Sequence, residues 1–189
     1  MKRYIFALIL FASSLSAREN TFYLSGMSGL NWLYLQKQRD GTTGNFKTGW
    51  LAGGAIGFRA CGGFRIELES AYRRNSVNWI EVDGDRYHPG GAESNTSVMI
   101  NLTQDINCFR FCAIPYVGFG AGYAFDNGII SVDDVEHIKK DKGFAWQAIL
   151  GLNYPLTCQL EAGLEYRFFK PQLRGFDQSI GVALRYYFW

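Results

Sequence analysis

Along most of this 189-residue chain apolar side chains recur at every second position, and that period decides which backbone can carry them. In FRIELESAY, residues 64 to 72, Phe64, Ile66, Leu68 and Tyr72 fall on one face of an extended strand, while Arg65, Glu67, Glu69 and Ala71 fall on the other. An α-helix would scatter both sets around its axis. Eight alternating segments can be read, at 21–36, 46–60, 64–74, 95–105, 114–125, 143–154, 159–169 and 178–188. In the second, Phe46, Trp50, Ile56 and Phe58 oppose Lys47, Gly49, Leu51, Gly53, Gly57 and Arg59. In the seventh, Leu160, Ala162, Leu164, Tyr166 and Phe168 oppose Gln159, Glu161, Gly163, Glu165 and Arg167.

Alternation also suits a soluble sheet with one wet face, so the direction of the apolar face has to come from the rest of the chain. The opening MKRYIFALILFASSLSA sets two basic residues before an apolar run and small residues, the layout of a secretory signal peptide. Cleavage is expected after Ala17, with Ser16 as the alternative, leaving residues 18–189 as one domain. No Cys stands directly after the cleavage site, which argues against a lipoprotein. Without the leader, 17 basic residues face 17 acidic ones, a balance that offers no nucleic-acid footprint. No later stretch reaches the roughly 18 apolar residues of a membrane helix, so any membrane role falls to strands. An aromatic share of 16% and 22 glycines favour strands and close backbone contacts.

The connections alternate. KQRDGTTGN, the stretch around VDGDRYHPGGAES and NGIISVDDVEHIKKDK are long and polar, whereas CGG and YPLTC are tight; the exceptions are 170–177, a short outer loop, and the somewhat long turn at 106–113. Long loops at one end and short turns at the other, with an even strand number, form the pattern of an outer-membrane barrel whose long loops are extracellular. Aromatic residues on the apolar face gather near segment ends: Trp32, Trp50, Tyr72, Tyr123, Trp146 and Phe168 towards the loops, Phe22, Phe58, Phe64, Tyr154 and Phe188 towards the turns. Trp50 and Phe58 would stand roughly 20 Å apart along a tilted strand, close to the apolar band of such barrels. The expected fold is an all-β, closed eight-stranded antiparallel up-and-down transmembrane barrel. Its lumen would hold Lys47, Arg59, Arg65, Arg73, Arg167 and Arg185 against Glu67, Glu69, Asp105, Glu161 and Glu165, near balance being what a water-poor interior requires. Inward glycines, at 49, 53, 57, 118, 120, 122, 151, 163 and 181, would make room for those side chains. Pairing Phe169 with Asp177 puts Glu161 opposite Arg185, which predicts a direct ion pair.

VMINLTQDI, PYVGFGAGYAF, FAWQAILGLNY and the ending IGVALRYYFW resemble the eight-stranded OmpA-type and opacity-protein-like surface antigens of Gram-negative bacteria, over nearly the whole chain after the leader. The resemblance implies that the last strand carries the signal read by the barrel-assembly machinery, here Ile180, Val182, Leu184, Tyr186 and Phe188; the extra Trp189 departs from the usual phenylalanine ending. It implies no shared catalytic set, cofactor or metal. Relatives of this kind resemble one another as adhesins, immune-exposed antigens, envelope-stabilising proteins or narrow pores.

Cys61, Cys108, Cys112 and Cys158 all fall in the tight turns, expected on the periplasmic side. Of three connectivities, geometry favours Cys108 with Cys112. Cys61 and Cys158 would lie across a barrel roughly 16 Å wide, beyond the roughly 7 Å between α-carbons that a disulfide tolerates. They are expected either to link disulfide-bonded envelope neighbours or to remain local thiols. His88 and His137 sit in long loops and read as solvated rather than catalytic, and DDVEH lacks calcium-loop spacing. The expected function is passive: a plugged barrel embedded in outer-membrane lipid and lipopolysaccharide, not an enzyme. Its loops would act as surface antigen or adhesin towards a host-surface ligand, or stabilise the envelope. The alternative is a narrow porin for ions or small solutes, left open by the inward glycines.

Overall fold

A computed structural model of the chain describes residues 20–34, 43–82, 85–87, 90–106, 113–132, 135–172 and 175–188. The expected signal peptide, Cys108, Cys112 and His88 lie outside them. Eight strands form the wall, in chain order Thr21–Tyr34, Gly49–Arg59, Phe64–Val82, Gly90–Asp105, Ile114–Val132, Val135–Pro155, Leu160–Pro171 and Phe176–Tyr187. Each pairs antiparallel with its sequence neighbour. The last pairs back onto the first, from Tyr23 opposite Tyr187 to Tyr34 opposite Phe176. Within this ring every strand has two partners. Closure satisfies the backbone without water, which is why a sheet can stand in hydrocarbon.

The faces divide as the alternation requires. Phe22, Ile56 and Val182 are 60% or more exposed on the outside, whereas Arg65, Glu161 and Gln147 are 0% exposed inside. The outside is apolar and the inside is ionic, the reverse of a soluble protein. Outward rings meet across strands at both ends: Trp50 lies 5.3 Å from Tyr72 and Trp146 5.5 Å from Phe168 at the loop end, and Phe22 lies 5.0 Å from Phe58 at the turn end.

The tight turns have local causes. In Cys61–Gly63 both Gly62 and Gly63 take positive φ, and a Cβ on Gly63 would also meet Asp105 Cβ at 2.7 Å, so a side chain is excluded on two counts. At 155–160 the Thr157 hydroxyl accepts from the backbone N–H groups of Gln159 and Leu160, pinning the reversal between strands six and seven.

Two boundary expectations are corrected. Strands three to six do not stop at 74, 95, 125 and 143 but continue as paired ribbons to Val82, from Gly90, to Val132 and from Val135, so much of the expected loops 75–94 and 126–142 is strand. Beyond the lipid band neither face has to be apolar; the hydropathy period fades while backbone pairing persists. Lys47, expected in the lumen, is exposed, and its N–H donates to Ser76 O, on the outward face of strand three. Phe46, expected outside, pairs with Val77 on the inward face. Trp50 pairs with Arg74, so one extra residue lies between Phe46 and Gly49: a bulge, which inverts the facing of Phe46 before a second irregularity restores the register at Asn45 opposite Trp79.

Candidate functional site

Five arginines and five carboxylates from strands two, three, four, seven and eight meet in the lumen in two connected tiers. At the turn end Arg59 and Arg65 stand directly opposite each other in the register, a like-charge pair held by shared anions. Asp105 accepts from Arg59 Nη2 at 2.5 Å and forms an ion pair with Arg65 Nη2 at 3.0 Å, and Glu161 lies 3.5 Å from both Arg59 Nη1 and Arg65 Nη1. Glu161 also meets Arg185 Nη1 at 3.8 Å, in the expected register with Asp177 opposite Phe169.

One tier up, Arg185 pairs with Glu165, which Arg167 Nη2 reaches at 2.7 Å. Arg167 Nη1 lies 2.6 Å from Glu69, and Arg185 Nε lies 3.8 Å from Glu67. Neutral groups complete the carboxylates' bonds. Asn101 donates to Glu69 at 2.8 Å, and Gln147 donates to Asn101 at 2.7 Å. Arg73 donates to Ser97 Oγ at 2.9 Å, and its guanidinium lies 4.0 Å over the Phe169 ring. Met99, Ala124, Ala145 and Phe169 close an apolar layer. Among the described residues a void with room for about one water borders Met27, Leu51, Arg167 and Ser179.

The alternation of charges did not point to two tyrosines. Tyr23 lies across Gly57 to donate to Glu67 at 2.6 Å, and Tyr116 lies across Gly151 to donate to Glu165 at 2.5 Å. A Cβ on either glycine would come within 2.3 Å of the tyrosine ring. In the register Gly57 stands opposite Glu67 and Gly151 opposite Glu165, so each row reads Tyr, Gly, Glu over three successive strands. The glycines therefore seat rings, and the gap they leave is filled. Asp126 and Asp177 were missed as well, having been read as loop. Both are buried: Asp126 accepts from Asn95 at 2.7 Å and Asp177 from Asn31 at 2.9 Å. Extending the inward parity of strands five and eight by two residues would have found them.

Ile180, Val182, Leu184, Tyr186 and Phe188 all face outward along the closing strand. Cys61 and Cys158 are exposed at the turn end, and Asn20 Nδ2 donates to Cys61 Sγ at 3.2 Å. No disulfide forms among the described residues. His137 lies in strand six, its backbone opposite Ile130. Among the described residues no group of three His, Cys, Asp or Glu could hold a metal ion.

A closed strand cylinder with an apolar outside, two aromatic belts and an ion-paired interior is a transmembrane β-barrel. The chain belongs to the outer membrane protein beta-barrel domain family, which it matches over residues 4–188. An outer membrane protein of Gluconacetobacter diazotrophicus is 27% identical over 131 residues, 63% of this chain; the alignment spans 35% of that relative's length. Among solved structures, Neisserial surface protein A superposes with a TM-score of 0.60 at 13% identity, covering 88% of this chain and 97% of that one. OprG of Pseudomonas aeruginosa gives 0.63 at 12% identity, covering 90% and 97%. Ail of Yersinia pestis gives 0.50 at 13% identity, covering 88% and 99%. These are likenesses of fold; with the family match they make the chain an outer-membrane β-barrel protein.

Proposed function

We propose that the barrel is a plugged anchor whose loop end faces outward from the cell and does its work there, as a surface antigen and adhesin or as an envelope-stabilising element. The observation that carries this reading is the packed lumen: the tiers of arginine and carboxylate, the two tyrosines seated on glycines and the Phe169 layer are buried inside it. The narrow-pore alternative needed space beside the inward glycines, and at Gly57, Gly120, Gly151 and Gly163 that space holds Tyr23, Asn101, Tyr116 and Arg185. On this reading lipid and lipopolysaccharide hold the wall, the last strand is presented to the assembly machinery, and the exposed Cys61 and Cys158 face the periplasm beside envelope neighbours.

Planar-bilayer recording of the purified protein tests the plug, with silence expected; stable discrete conductance would make it a pore. Adhesion is tested by excising residues 77–91 and 129–138 together. Host-cell or matrix binding should be lost while the barrel still folds, and unchanged binding would remove the adhesive role.

A further inference from the structure

Among the described residues the loop-end rim is lopsided, and its low side carries an assembly that the plug does not use. Strands three to six rise well past the aromatic belt, but strand seven ends at Pro171 and strand eight begins at Phe176, and strand one is described as far as Tyr34. Strand six loses its second neighbour there: its pairing with strand seven stops at Ala145 opposite Pro171, and among the described residues no strand lies along that edge from Val135 to Gly143.

Across this low side five outward rings form one unbroken series. Phe119 lies 5.9 Å from Trp146, Trp146 5.5 Å from Phe168, Phe168 5.3 Å from Phe176 and Phe176 4.9 Å from Tyr34. They join strands five, six, seven, eight and one. Three of the four contacts are stacked, so the rings present a broad slab instead of isolated points. Directly above Phe144 and Trp146 on the same face of strand six stand Lys142 and Lys140, both exposed, about 7 Å apart by strand geometry. Lys170, beside Trp146 in the register, adds a third cation at the belt, its Nζ donating to Gly175 O. On the far side the cations above the Trp50 and Tyr72 rings are Arg74, with uncharged Ser94 opposite it, and exposed Lys47, whose N–H donates to Ser76 O.

We propose that this low side is a docking site for a phosphorylated glycolipid headgroup of the surrounding leaflet. The ring slab supports the sugar and the upper acyl carbons, and Lys140 and Lys142 engage phosphate. A slab at belt height with cations two and three same-face strand steps above Trp146, beyond the outward Phe144, matches the layering of such a lipid, apolar below and anionic above. The proposal deepens the reading in which the loop end faces the outer leaflet, where lipopolysaccharide lies. Its test in detergent does not depend on orientation.

The folded protein is mixed with bis-phosphorylated lipid A, with the same lipid stripped of phosphate, and with phosphatidylglycerol, and retained lipid is counted by native mass spectrometry. Lipid A should be retained best. Lys140→Gln with Lys142→Gln should lower its retention about tenfold, and Trp146→Ala should lower retention of both lipid A forms. Lys47→Gln, a lysine outside the patch, should change nothing. Heat-shifted gel migration confirms that each variant is folded; if Trp146→Ala fails this check, Tyr34→Ala takes its place. Equal retention by the double lysine variant would overturn the site. Equal retention of phosphatidylglycerol and lipid A would show a general phosphate patch and overturn the glycolipid assignment. Loop-specific labelling of intact cells decides orientation separately.

Discussion

At the scale of single residues, the lumen works because each carboxylate is shared. Glu161 faces Arg59, Arg65 and Arg185 at once, so removing it leaves cationic excess among buried side chains. Glu161→Ala should cost about 3–5 kcal/mol, read from denaturant unfolding out of lipid vesicles. The tyrosine rows predict a sharper contrast between glycines. Gly151→Ala drives a methyl into the Tyr116 ring and should cost about 1–3 kcal/mol. Gly26→Ala, on the outward face with nothing within 4 Å of the added carbon, should leave the unfolding midpoint unchanged. Charges such as Arg65 and Glu67 could be assigned to the lumen from their alternation with Ile66 and Leu68. Tyr23 and Tyr116 could not: an aromatic on the inward face only makes sense once a glycine on the next strand and a glutamate on the one after are known to stand in line. That alignment is set by register, which no local window contains.

At the scale of strands, hydropathy located each barrel segment but not where it ends. The period of two reports lipid on one side, so it disappears at the belt even though Ser76 still pairs with Ala92 and Asn127 with Lys140. Asp126 and Asp177 were hidden by that fading, and Lys47 by a bulge that one extra residue creates. Because the ribbons beyond the belt lie outside the lipid, excising 129–138 should leave folding intact, seen as unchanged heat-shifted migration. A charge within the belt should behave differently. Leu164→Arg, placed on the lipid face opposite Val182 and Leu152, should cost about 2–4 kcal/mol, or prevent insertion altogether.

At the scale of the whole molecule, the barrel is a soluble protein turned inside out, and its two surfaces follow from two solvents. Hydrocarbon outside demands a closed ladder and an apolar wall. Burial inside brings arginines, carboxylates, amides and hydroxyls against one another. The fold could be read from alternation, loop asymmetry and belts together because lipid imposes all three on the sequence. What the loops bind leaves no such regular imprint, which is why function is less legible than architecture. The two surfaces are tested most directly by single cysteines along strand seven, in a background lacking the native ones, each carrying a fluorophore in the vesicle-embedded barrel. The account predicts that labels at 162, 164 and 166 are quenched by brominated acyl chains and that labels at 163 and 165 are not. Equal quenching at both parities, or quenching of the odd positions alone, would contradict it.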